Sequence, residues 1–130
     1  MYAAEAAYFA AGGPGVADFG DLARFFAPDV VLHQAAGLPY GGTWRGHAGI
    51  EGGVRAMAEV WELFEFVEQD FLVTGETSVV LTRVRARARA TGRELSFPIL
   101  QTLTVRDGRI AEVRPFYWDT WAIADACALP

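Results

Sequence analysis

Two histidines, one aspartate near the C-terminus and a set of aromatic side chains are the groups in this chain able to move a proton or hold a ring. His33 closes the apolar stretch Val30-Val31-Leu32-His33-Gln34, ahead of a Gly- and Pro-rich segment. An imidazole there has the chemistry of a general base. Strand alternation sets His33 opposite Leu32 and Gln34, so either His33 or Gln34 faces an interior unless a bulge admits both. The alternative for His33 is a satisfied structural side chain. His47 follows Gly46 at a helix start, where a surface or capping role suits it. Asp119 can N-cap a short last helix by accepting from the free amides of its first turn. If Asp119 instead meets His33, the carboxylate fixes the imidazole tautomer and the pair becomes an oriented base, fit for proton abstraction next to a carbonyl. Tyr8 and Tyr40 are phenols able to donate to a developing enolate oxygen. Tyr40, Trp44, Trp61, Tyr117 and Trp118 either line a mouth and stack on a flat ligand or are ordinary core.

The elements that must hold these groups divide by period. Tyr2 to Ala11 reads as an Ala-rich helix stopped by Gly12, Gly13 and Pro14. Asp18 caps a second helix with Phe19, Leu22, Phe25 and Phe26 on one face, ended by Pro28 and Asp29. Val30 to Gln34 reads as a short strand, Ala35 to Gly46 as a loop, and Ile50 to Trp61 as a third helix with Ile50, Val54, Met57 and Trp61 along one stripe. Four strands follow: Phe64 to Thr74, Thr77 to Ala90, Glu94 to Arg106 and Arg109 to Trp118, with an Asp107-Gly108 hairpin signal and a final helix from Asp119 to Ala126. Helices first and then antiparallel strands predict an α+β domain.

From Thr82 to Ala90 the alternation is strict: Thr82, Val84, Ala86 and Ala88 on one face, Arg83, Arg85, Arg87 and Arg89 on the other. Glu62, Glu65, Glu68 and Asp70 on the neighbouring strand are candidate partners for the arginines, giving a solvated or dimer-facing ladder. The small residues of the covered face leave room for a cavity, with Val84, Ala86 and Ala88 on its wall, unless a Trp or Phe fills the gap.

At 130 residues and 52% hydrophobic composition, the chain makes one folded domain spanning 1–130 rather than two, and is not disordered. A net charge of −5 and a pI near 4.9 disfavour nucleic acid as a partner. All 11 basic residues are Arg, a codon bias of GC-rich bacterial genomes. The single cysteine, Cys127, excludes an internal disulfide and cannot alone build a structural zinc site. No phosphate-cradling motif, metal-ligand cluster or nucleophile elbow occurs in the sequence, so neither metal nor cofactor is expected. The N-terminal stretch lacks a basic flank ahead of an apolar core, and no apolar run reaches the roughly 18–20 residues of a membrane span. The expectation is a cytoplasmic protein.

The order of elements, with Leu38-Pro39-Tyr40-Gly41-Gly42-Thr43-Trp44-Arg45-Gly46, Arg106-Asp107-Gly108-Arg109-Ile110 and Pro115-Phe116-Tyr117-Trp118-Asp119-Thr120, resembles the SnoaL-like and ketosteroid-isomerase-related proteins of the nuclear-transport-factor-2-like (NTF2-like) superfamily. The resemblance covers nearly the whole chain. It implies a cone: a curved mixed or antiparallel sheet wrapped around three N-terminal helices, with an internal pocket for a small hydrophobic ligand. It implies an isomerase, cyclase or dehydratase acting on a hydrophobic carbonyl compound, or a non-catalytic binding protein of the same fold. It also implies site positions. Tyr8 falls near the family's Tyr donor, Gln34 stands where the isomerase has its carboxylate base, and Gln101 where it has its protonated Asp donor. Asp119 shares strand parity with Val113, Pro115 and Tyr117, which line the pocket in the related isomerases. Relatives commonly pair across the outer sheet face, so a homodimer is expected with the Arg83 to Arg89 ladder, Thr102 and Thr104 in the interface.

Overall fold

The computed structural model of the chain describes residues 20–128. The expected helix from Tyr2 to Ala11, and with it Tyr8, lies outside the described residues. The described elements run α1 (Gly20–Ala23), β1 (Phe26–Gln34), β2 (Gly42–Arg45), α2 (Gly46–Val60), β3 (Trp61–Thr74), β4 (Thr77–Ala88), β5 (Glu94–Arg106), β6 (Arg109–Tyr117) and α3 (Thr120–Cys127). The six strands form one mixed sheet in the order β2-β1-β6-β5-β4-β3. Only β1 and β6 run parallel; every other pair is antiparallel.

Side-chain period explains the sheet. On β4, Val80, Thr82, Val84, Ala86 and Ala88 are buried while Arg83 and Arg85 are exposed, so the inner face is apolar and the outer one charged. The Asp107-Gly108 pair closes β5 on β6 with both residues at positive φ, 52° and 76°, which a two-residue hairpin of right-handed twist demands. Two clusters fill the inner side. One gathers Leu22, Phe26, Val30, Leu32, Ile50 and Val113; the other gathers Tyr40, Trp61, Val84, Ala86, Ala88, Phe97 and Ile123.

Several boundaries differ from the sequence reading. The second helix does not reach Phe26: the helix ends at Ala23 and Phe26 opens β1, four residues earlier than expected. Pro28 is tolerated in that strand because the β1–β6 ladder is interrupted between Phe26 and Val31, where a missing N–H costs no bond. The expected loop Ala35 to Gly46 contains the edge strand β2, which pairs Val31 with Arg45 and Gln34 with Gly42. The helix α2 begins at Gly46, ahead of Ile50, and yields to strand at Trp61. Instead of three helices before the sheet, the described residues hold the single turn α1 and the full helix α2, with α3 at the C-terminal end. None of these helices is long and apolar enough to cross a membrane.

Candidate functional site

A cavity of about 70 Å³ lies between α2 and the inner face of the sheet. Helix α2 contributes Ile50, Val54 and Met57, one stripe at helical spacing. Leu22, with Phe26, Leu32 and Gln34 of β1, closes one side, and Phe64 and Phe66 of β3 close the other. The floor is Gln101 of β5 with Val113, Pro115 and Tyr117 of β6. The polar groups on this wall are thus two amides and one phenol.

Alternation on β1 decides between His33 and Gln34. Gln34 is buried and lines the cavity, whereas His33 turns to the other face. There His33 Nε2 lies 3.4 Å from Glu112 Oε1, with both side chains about a third exposed. Glu112 also takes Arg114 Nη2 at 2.8 Å. Asp119 is exposed and accepts from the Ala122 N–H at 3.0 Å, capping α3. The His33–Asp119 pair is therefore not formed. One carboxylate satisfies the helix and a different one meets the imidazole.

Of the aromatic residues expected around a mouth, Tyr40 and Trp61 are packed behind the wall, and Trp118 is exposed to solvent. Tyr40 is 2% exposed; its hydroxyl takes the Trp61 Nε1–H at 3.1 Å and shares a 2.8 Å hydrogen bond with the Tyr117 hydroxyl. Burial pushes the Tyr40 phenol up to about 12, against the smaller opposing effect of its hydrogen bonds. Tyr117 alone of the three reaches the cavity. Trp44 donates to the Tyr40 carbonyl at 3.2 Å and lies on α2. The small residues of β4 do not line this cavity. Ala86 and Ala88 are fully buried in a cluster with Tyr40, Trp61, Phe97 and Ile123, so aromatic rings occupy the space they leave, and Val84 packs in the same cluster. His47 Nε2 bonds the Phe26 carbonyl at 3.0 Å, tying the start of α2 to β1.

Of the expected site residues, the structure brings Gln34, Gln101 and Tyr117 together on one wall. It separates them from His33, Asp119, Trp44, Trp61 and the β4 residues, and Tyr8 lies outside the described residues. The lining residues not singled out from sequence include Phe64 and Phe66, whose signal is period two along β3, whereas Val113 and Pro115 stand in the lining as the resemblance implied. Ile50, Val54 and Met57 were visible as a stripe, but a stripe reads equally as core. Among the described residues no group of three or more His, Cys, Asp or Glu is placed to hold a metal ion.

A cone-shaped mixed sheet closed by helices around an inner cavity defines the NTF2-like class. The profile of the SnoaL-like domain matches residues 6–113, and the chain belongs to that family. No curated protein matches it in sequence. An NTF2-like protein from Burkholderia xenovorans LB400 is 27% identical, with 98% of this chain and 95% of that one covered at a TM-score of 0.80. TerC, co-crystallised with polyporic acid, is 22% identical over 97% of this chain and 94% of its own, TM-score 0.79. A protein with a ketosteroid-isomerase-like fold from Catenulispora acidiphila DSM 44928, in complex with trimethylamine, is 17% identical over 99% and 96%, TM-score 0.71. The last two likenesses concern the fold alone.

Proposed function

We propose that the chain binds a small, neutral, hydrophobic molecule in the cavity between α2 and the sheet. The lining carries this reading: apolar side chains surround two amides and one phenol, and none of the described lining residues is a carboxylate, an imidazole or a cation. Few polar groups set in an apolar wall is the make-up of a small-molecule site.

A second reading, acid–base catalysis on a hydrophobic carbonyl compound by an isomerase, cyclase or dehydratase, is favoured by one contact. The Tyr40 hydroxyl fixes the Tyr117 phenol at 2.8 Å, and a positioned phenol on the cavity wall can polarise a carbonyl oxygen. Gln101 would serve as a second donor and Tyr8 as a third. The base would have to come from outside the described lining.

Titrating a panel of hydrophobic ketones and quinones, followed by Trp fluorescence and by product formation across pH, separates the two. Binding predicts saturable titration without turnover, abolished by Val54→Phe in a protein whose circular dichroism is unchanged. Turnover that falls at least a hundredfold in Tyr117→Phe would move the assignment to catalysis. No saturable binding by any compound would end both.

The protein also pairs, in this proposal, with a second copy across the outer face of the sheet. Leu81, Leu100 and Phe116 stand side by side across β4, β5 and β6 on that face, 47%, 40% and 54% exposed. A free thiol at Cys127 agrees with a reducing, cytoplasmic setting.

A further inference from the structure

Gln34 has an unmet need that the cavity's own wall does not supply. The residue is 8% exposed at the end of β1. Its Nε2 points at Met57 Sδ, 3.8 Å away. A thioether accepts and cannot donate, so the amide end facing Met57 is the NH₂ group and the oxygen is turned away from it. That oxygen, Oε1, is buried and has no hydrogen-bond partner among the described residues. The neighbouring strand offers nothing: Leu32 is level with Val113, and two residues further on β6 comes Pro115, which has no N–H. A buried amide oxygen without a donor is an unpaid desolvation cost that a ligand can relieve.

We infer that Gln34 makes the cavity selective for neutral ligands carrying a hydroxyl donor, a phenol or an enol, whose O–H is accepted by Oε1. The inference rests on the proposal that this cavity is a small-molecule site. A ligand carbonyl or ether oxygen set against Oε1 would place lone pair against lone pair. An ammonium would satisfy the oxygen, but no described lining residue carries a charge to balance it in so apolar a space. A site built to hydrogen-bond a hydroxyl discriminates strongly against the analogue that lacks it.

Phenol and toluene are near-isosteric probes that differ in this one group. Each is titrated into the wild-type chain and into Gln34→Met, which keeps the volume and removes the acceptor, with Gln34→Leu as a second variant should the first not fold. Binding is followed by protein NMR, including the side-chain amide resonances of Gln34. The ratio of phenol to toluene affinity should fall about tenfold on substitution, the factor expected for one buried hydrogen bond. In the wild type the Gln34 amide resonances should shift saturably with phenol, and by more than the ring-current shift that toluene produces. Binding of both probes with a ratio unchanged within about twofold, or Gln34 resonances indifferent to phenol, overturns the selectivity while leaving the small-molecule site standing. Failure of both probes to bind the wild type overturns the site itself and this inference with it.

Discussion

Tyr40 shows how burial converts an ordinary side chain into a pH-dependent contribution. Its phenol is enclosed by the second core cluster and is held neutral up to about 12. Between the ordinary value of 10.0 and that point the unfolded chain has lost the proton and the folded chain keeps it. The unfolded state then binds fewer protons, so stability falls as pH rises; the contribution is complete below pH 10 and is lost by about 12. A shift of that size amounts to about 2–3 kcal/mol. Urea unfolding between pH 9 and 12 should show this decline, and Tyr40→Phe should flatten it while lowering stability at pH 8 by about 1–3 kcal/mol through the orphaned Trp61 N–H. Parallel pH profiles for the two proteins would refute the assignment. The same residue was nameable from sequence only as an aromatic with two possible places. Whether a Tyr in a Gly-rich loop stacks on a ligand or plugs a core depends on where the loop folds back, and here Leu38 N–H to Ala35 O and Gly41 N–H to Leu38 O bonds turn it inward.

At the scale of elements, α2 lies so close to β2 that its glycines are packing residues. A Cβ on Gly49 would stand 2.8 Å from the backbone carbonyl carbon of Trp44, which cannot move without displacing the edge strand. At Gly52 the nearest atom is the ring carbon Trp44 Cζ3 at 3.4 Å, an ordinary contact. Gly49→Ala should therefore destabilise by roughly 1–3 kcal/mol through overpacking, while Gly52→Ala should stabilise by up to about 1 kcal/mol through helix propensity. Thermal unfolding of the two variants decides it; equal effects of the same sign would show that helix propensity alone governs. Local glycine content hid both the start of α2 and all of β2 from sequence reading. Glycine weakens either periodicity, and a four-residue edge strand with only Trp44 half-buried leaves no alternation to detect. The four long strands were legible from their β-branched and aromatic content between turn signals, and β4 also from its strict alternation.

The whole molecule leaves its outer sheet face in water. Leu81, Leu100 and Phe116 make an apolar row there, with Leu72 64% exposed on the next row beside Val79. A contiguous apolar patch on a sheet face marks an association surface. The arginines share that face but are partly satisfied within the chain. Arg87 reaches Glu94 at 2.6 Å and Glu62 at 3.7 Å, and Arg85 and Arg83 stand opposite Glu65 and Glu68. Asp70 stands opposite Leu81, not an arginine. Apolar contact, with the charges at its rim, is thus the stronger basis for the proposed dimer. Light scattering at micromolar concentration should give a dimer for the wild type and a monomer for Leu100→Glu, with ligand binding retained. A wild-type monomer would refute the pairing.

Patterning along the chain determined the α+β class. The period-two runs and the Asp107-Gly108 turn specify the long strands, their apolar faces and one hairpin, since these depend on residues within a few positions of one another, and the shared motifs carry the resemblance to the family. It also determined that one of His33 and Gln34 faces inward. Tertiary structure alone decided which one, because the parity of β1 is set by its pairing with β6 and β2 rather than by its own residues. Tertiary structure likewise sent Asp119 to the N-cap of α3, His33 to Glu112, and aromatic rings into the space beside Ala86 and Ala88. A hydrogen bond between residues far apart in sequence exists only after the sheet has curved and the helices have closed on it, and the site is made of such contacts.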